Sequence, residues 1–234
     1  MAGDDKLPTR SSKTEIETFL EKVAAAPSLR APGQGGRLIF AMDATASREP
    51  TWDRASHIQA EMFQETAALG GLEIQLVYYR GFGECRATPW ITDAGEMLRR
   101  MTRVTCLAGH TQIRKVLKQA IKERKQGKVD ALVFVGDALE EDIDELGHLA
   151  GQLGLLGLPC FMFHEGRDPV AGKAFRQIAR LSGGAYCPFD ASSPQQLRDL
   201  LSAVAVYAAG GRQALADYSS KRGGVVKQLT HQIK

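Results

Sequence analysis

The chain has 234 residues, 24% of them charged, and a net charge of only +3. That length allows one large domain or two small ones, and the small net charge gives no electrostatic case for nucleic acid or an anionic membrane surface. The four cysteines (Cys85, Cys106, Cys160, Cys187) stand far apart with no CxxC pair, which argues against a zinc cage and for reduced thiols in a cytoplasmic protein.

Residues 1–35 read as an N-terminal extension. Ser12-Lys13-Thr14-Glu15 has capping-box spacing, and Ile16, Phe19, Leu20 and Val23 follow at helical period, so a short amphipathic helix is expected there. The opening Met-Ala-Gly-Asp-Asp-Lys lacks the apolar core of a signal peptide, and no run of about 18 apolar residues predicts a membrane span. Ala31 to Gly36, with its proline and glycines, reads as a linker.

Strands and helices alternate from there. Leu38 to Met42 is an apolar run that predicts a buried strand. Ala55, Ile58, Met62, Thr66 and Leu69 make one helical face, stopped at Gly70-Gly71. Leu72 to Tyr79 predicts a second strand and Glu84 to Trp90 a third. The turn at Gly81-Phe82-Gly83 leaves no room for a crossover helix, so this pair must be antiparallel. Helices are expected near Ala94 to Arg103 and on the face Ile113, Val116, Leu117, Ala120, Ile121. Ala131 to Val135 is a fourth strand. Ile143, Leu146, Leu149, Ala150 and Leu153 form the next helical face, and Pro159 to Phe163 is a fifth strand. A helix through Phe175 and Ile178 ends at Gly183-Gly184, Ala185 to Phe189 is a last strand, and Pro194 opens a helix carrying Leu197, Leu200, Leu201, Val204 and Ala208.

Continuous apolar strands alternating with amphipathic helices predict an α/β fold: a doubly wound, mostly parallel sheet with one antiparallel edge strand and helices on both faces. One domain over residues 36–210 is expected, followed by a basic tail, 211–234, with a possible apolar strip at Val225, Val226, Leu229 and Ile233. Nothing in the sequence points to a particular oligomeric state.

Chemistry gathers in three loops. Asp43-Ala44-Thr45-Ala46-Ser47 follows the first strand, Gly109-His110-Thr111 precedes a helix, and Gly136-Asp137-Ala138 follows the fourth strand. In a doubly wound sheet the carboxyl ends of parallel strands meet on one side, so Asp43 and Asp137 can face one site with Thr45, Ser47 and Thr111. Carboxylates and hydroxyls without nitrogen or sulfur suit a hard cation, Mg²⁺ first, with Mn²⁺ or Ca²⁺ as the other candidates. The plain alternative is that Asp43 and Ser47 cap the helix that follows.

These three loops resemble the metal-ion-dependent adhesion site (MIDAS) of the von Willebrand factor type A (vWA) domain. The Asp-x-Ser-x-Ser pattern of that family stands here as Asp43-Ala44-Thr45-Ala46-Ser47, its isolated threonine resembles Thr111, and its last aspartate resembles Asp137. The order of elements is similar over about residues 36–209. The resemblance implies that Thr45 and Ser47 bind the metal directly and that Asp43 and Asp137 act largely through water. Thr111 binds either way, and an open position takes an acidic residue, Asp or Glu, of a protein partner. Thr45 replaces a serine, and Gly136 and Ala138 replace the usual neighbours of the last aspartate. His110 places an imidazole beside Thr111. Trp52, His110 and His164 are the expected partner-binding rim, with the core as the alternative for Trp52 and a place behind the ligands as the alternative for His164. The acidic run Glu140 to Glu145 reads as the solvated start of a helix.

The expected function is thus a non-enzymatic interaction module. A Mg²⁺-dependent phosphohydrolase or nuclease is the alternative, and a vWA fold with an unoccupied site is the third reading. Against the hydrolase, Thr45 stands where a second carboxylate would complete an Asp-x-Asp pair, and no P-loop or GxSxG elbow is present. No GxGxxG follows the first strand, which disfavours a dinucleotide enzyme.

Overall fold

The computed structural model describes Thr18 and residues 35–66, 71–189 and 194–221. Ile16, Phe19, Leu20 and Val23, the linker before Gly35, the helix stop at Gly70 and the tail strip Val225 to Ile233 lie outside the described residues.

Strand β1 (Gly36–Asp43) is buried along nearly its whole length because both faces are covered. Side chains alternate across a strand, so Leu38, Phe40 and Met42 enter one apolar cluster while Ile39 and Ala41 enter the other. A 3₁₀ turn (Ala46–Arg48) leads into α1 (Glu49–Thr66), with Pro50 in its first turn, where a missing N–H costs nothing. That helix begins before the periodic face at Ala55 that the sequence displays.

Strand β2 (Leu72–Arg80) pairs parallel with β1, and β3 (Glu84–Ala87) turns back antiparallel to β2. The expected third strand to Trp90 stops at Ala87. Pro89 cannot donate to a ladder, and the pairing resumes only as a single bridge between Ile74 and Ile91. Helix α2 (Ala94–Met101) is capped by Asp93, whose side chain accepts the Glu96 amide.

Helix α3 (Ile113–Gln126), β4 (Ala131–Gly136), α4 (Ile143–Leu155), β5 (Cys160–Glu165), α5 (Pro169–Ser182) and β6 (Ala185–Phe189) complete the alternation. The sheet order is β3-β2-β1-β4-β5-β6, with β3 the antiparallel edge. The last helix, α6 (Pro194–Lys221), is kinked at Gly211, whose φ is 71°. Beyond the kink, Leu215 joins the core at 2% exposure.

Two layers of helix cover the sheet. Helices α1, α2 and α6 pack on the face that holds Phe40 and Val133, and α3, α4 and α5 pack on the face that holds Ile39 and Phe134. No described helix is long and apolar enough to cross a membrane. The parallel strands β1, β4 and β5 end side by side, at Asp43, Gly136 and Glu165, and this is the end on which the loops of interest sit.

Candidate metal centre

The apolar body of β1 delivers Asp43 to the carboxyl end of the sheet, where it is 1% exposed. Its Oδ1 accepts the Thr45 amide at 2.7 Å, an Asx-type turn that curls the loop back over the strand end. Thr45 occupies the N-cap of the 3₁₀ turn without a side-chain capping bond, so its hydroxyl is not spent on the helix. The Thr45 Oγ1 lies 3.5 Å from Ser47 Oγ, and Ser47 Oγ donates to Asp137 Oδ2 at 3.2 Å. Asp43, Thr45, Ser47 and Asp137 therefore form one continuous run of oxygens across the ends of β1 and β4.

Thr111 is tied to this run through the loop after β4. Its Oγ1 accepts the Glu140 amide at 3.0 Å and its own amide donates to Glu140 Oε2 at 2.9 Å. Glu141 accepts the amides of Ile113 at 2.5 Å and Arg114 at 3.0 Å. Two acids of the run that reads as the solvated start of α4 thus serve the N-terminus of α3. Asp142 alone caps α4, accepting the Glu145 amide at 2.8 Å. Burial pushes the Glu141 carboxyl up, against the amides that bond its charged form.

Burial also pushes the Asp43 carboxyl above its ordinary value. The Thr45 hydrogen bonds oppose that rise, the Asp137 charge adds to it and Arg48 works against it. Tyr79 lies fully buried nearby, and burial, followed by the Asp43 charge and its hydrogen bond, lifts its phenol well above the usual range.

The donor set suits a hard cation. Adjacent ligands of an octahedral ion with bonds of about 2.1 Å stand roughly 3 Å apart. The 3.5 Å and 3.2 Å steps from Thr45 to Ser47 to Asp137 approach that spacing. Among the described residues no cluster of three or more His, Cys, Asp or Glu could hold a metal ion, so any cation here relies on hydroxyls.

The structure places two of the three rim residues inside the domain. Trp52 is 2% exposed, its indole N–H donates to the Met101 carbonyl at 3.0 Å and its ring meets Tyr78 edge-on. It is a core residue, because α1 turns its face onto α2 and the sheet. His164 is also 2% exposed. Its Nε2 lies 3.3 Å from the Asp137 carbonyl and its Nδ1 2.9 Å from the Tyr186 hydroxyl. A carbonyl only accepts, so Nε2 carries the proton and Nδ1 accepts from Tyr186. Burial lowers the His164 pKa, which fits this neutral form. His164 braces the Asp137 backbone from inside. His110 does reach the surface: its side chain is 65% exposed, its Nδ1 lies 3.2 Å from Glu140 and its ring meets Phe82 edge-on.

Sequence reasoning missed two residues of this centre. Arg48, 2% exposed, pairs with Glu165 and lies 3.8 Å from Asp137 Oδ2. Glu165, at the end of β5, also accepts the Thr51 hydroxyl at 2.5 Å. The only signal was position: Arg48 follows Ser47 directly, and Glu165 closes a strand adjacent to β4.

No family model and no curated protein matches the sequence. Solved structures do match. A VWA2 protein, the ArnB paralog from Sulfolobus acidocaldarius, aligns with a TM-score of 0.55 at 13% identity over 74% of this chain and 46% of its own. The SpRpn10 VWA domain aligns with a TM-score of 0.54 at 16% identity over 71% of this chain and 94% of its own. Proximal thread matrix protein 1 from the mussel byssus, solved with a zinc-occupied MIDAS motif, aligns with a TM-score of 0.58 at 14% identity over 74% of this chain and 46% of its own. The chain spans less than half of the first and third of these proteins. With its strand order, its antiparallel edge and its helices on both faces, the chain has the fold of a von Willebrand factor type A domain.

Proposed function

We propose that this domain is a protein-interaction module that holds an Asp or Glu of its partner through a divalent cation, Mg²⁺ first, at Asp43, Thr45, Ser47, Thr111 and Asp137. The observation that carries it is the run from Asp43 to Asp137, two carboxylates and two hydroxyls linked across two strand ends. Two carboxylates balance a divalent charge without saturating its coordination, so a bound ion keeps affinity for a further acid. When bound, the cation supplies that Lewis-acid contact. Thr45, Ser47 and Asp137 would offer it oxygens, and His164 and the Glu140 amide would keep Asp137 and Thr111 in place.

The face beside the site suits a protein partner. Phe82 is 82% exposed and Leu107 45% exposed, both on loops that adjoin the Thr111 segment. A cleft of about 340 Å³ opens between Phe82, His110, Thr111, Lys115 and Glu141. A solvated aromatic side chain held against His110, in a cleft shared with Thr111, is the kind of anchor interfaces use. Among the described residues no two cysteines are joined in a disulfide, which fits a reducing compartment, and a cytoplasmic setting is part of the proposal.

The test is a thermal melt with and without millimolar Mn²⁺ or Mg²⁺. An ion that binds only the folded state raises the melting temperature by mass action. The wild type should rise, and Asp43→Ala should not. A wild type indifferent to both ions would overturn the metal reading.

A further inference from the structure

Arg48 heads the fully buried side chains by volume among the described residues, and its guanidinium reaches towards Asp137 of the candidate site. A buried arginine is stable only where its charge is matched. Here the match is Glu165 on one side and Asp137 Oδ2, at 3.8 Å, on the other. Oδ2 is the same oxygen that accepts the Ser47 hydroxyl. Among the described residues the Nε of Arg48 has no hydrogen-bond partner, so the guanidinium is held mainly by charge. Three carboxylates, Asp43, Asp137 and Glu165, thus share one network with a single fixed cation.

We propose that Arg48 is a built-in counter-cation of the site: it shares Asp137 with any incoming divalent ion, and the Arg48–Glu165 pair sets how tightly that ion binds. This rests on the metal reading above. The physical reason is short-range electrostatics in a desolvated setting. A fixed positive charge a few ångströms from a cation site repels the cation, and a fixed negative charge attracts it, both more strongly than in water. The guanidinium also offsets part of the repulsion between Asp137 and Asp43. Two opposite consequences follow. Loss of Arg48 leaves three uncompensated acids and tightens ion binding, whereas loss of the Glu165 charge leaves Arg48 free to repel and weakens it.

The experiment is calorimetric titration of the full chain with Mn²⁺ alone, comparing wild type with Arg48→Gln, Glu165→Gln, the double variant and Arg48→Lys, each checked for a cooperative melt. Arg48→Gln should bind Mn²⁺ about tenfold tighter or more, and Glu165→Gln weaker by a similar factor. The double variant and Arg48→Lys, which keep the charge balance, should stay within about threefold of wild type. Opposite signs for the two single variants separate a charge role from a structural one, because lost packing weakens binding in both. If wild type binds Mn²⁺ and a folded Arg48→Gln binds no tighter, the proposal is overturned and the metal reading stands. If Arg48→Gln does not fold, Glu165→Gln decides: unchanged or tighter binding overturns the proposal. If wild type is silent and Arg48→Gln binds, the proposal is supported. If no folded variant binds Mn²⁺, both readings fall.

Discussion

Gly109→Ala should be among the most damaging single-methyl changes in the loop that carries Thr111. A Cβ at Gly109 would sit 2.0 Å from the Gly81 carbonyl oxygen and 2.2 Å from its carbon. That is more than an ångström inside ordinary contact, and the obstacle is backbone, which cannot rotate away. The two segments must part, and with them the bonds from the Gly81 amide to the Leu107 carbonyl at 3.4 Å and from the His110 amide to the Gly81 carbonyl at 3.3 Å. Overpacking of this kind costs about 1–3 kcal/mol and each lost hydrogen bond about 1 kcal/mol. A total of about 2–5 kcal/mol lowers the melting temperature of a domain this size by roughly 5–15 °C. Gly83→Ala, one residue past the exposed Phe82, is the control: its added Cβ meets nothing within 4 Å among the described residues. It should melt within about 1–2 °C of wild type. Thermal unfolding followed by circular dichroism decides it. Equal melting temperatures for Gly109→Ala and Gly83→Ala would refute the close approach on which the reasoning depends.

Trp52→Phe removes the indole bond to the Met101 carbonyl and leaves a gap in the core, so it should cost about 1–3 kcal/mol in urea denaturation and leave any Mn²⁺-induced melting shift unchanged. Asp168 accepts the amides of Val170 and Ala171 at the start of α5, and Asp168→Ala should cost about 1 kcal/mol by the same assay. Burial pushes the Cys160 thiol up to about 12, whereas the unfolded chain releases that proton near its ordinary value of 9.0. The stability this thiol confers is therefore complete below about pH 9 and is lost as pH rises towards its folded pKa, at about 1.4 kcal/mol per pH unit. Cys160→Ala should flatten the alkaline fall in stability between pH 9 and 12 by about one proton's worth, and an unchanged slope in denaturation at successive pH values would count against it.

The sheet is legible in the chain because its strands are buried on both faces. Leu38 to Met42 and Ala131 to Val135 carry no polar residue, and such runs between amphipathic helices admit few arrangements. The same regularity brings the loops of Asp43 and Asp137 together, since parallel neighbours end side by side. What escapes the eye depends on contacts between distant segments. Arg48 sits in a polar loop and reads as exposed, yet Glu165, far along the chain, draws it inside. Trp52 and His164 carry both an apolar body and a polar atom, and only the partner of that atom, the Met101 carbonyl for one and Tyr186 for the other, decides burial. Glu140 and Glu141 stand at the start of α4 in sequence but serve the amides of the Thr111 segment and α3 in space, a choice that local charge patterning does not encode.

Gly36 opens β1 with no side chain because a Cβ there would lie 2.6 Å from the Ala208 carbonyl carbon in α6. The first strand and the last helix therefore touch at the end of the sheet opposite Asp43 and Asp137. The chain enters the sheet at that contact, at the far end of β1 from Asp43, while α6 runs on through the Gly211 kink to Lys221 and returns Leu215 to the core. Any side chain at position 36 would therefore pry the last helix from the start of the first strand, and the damage would begin at the end of the sheet remote from the candidate binding face.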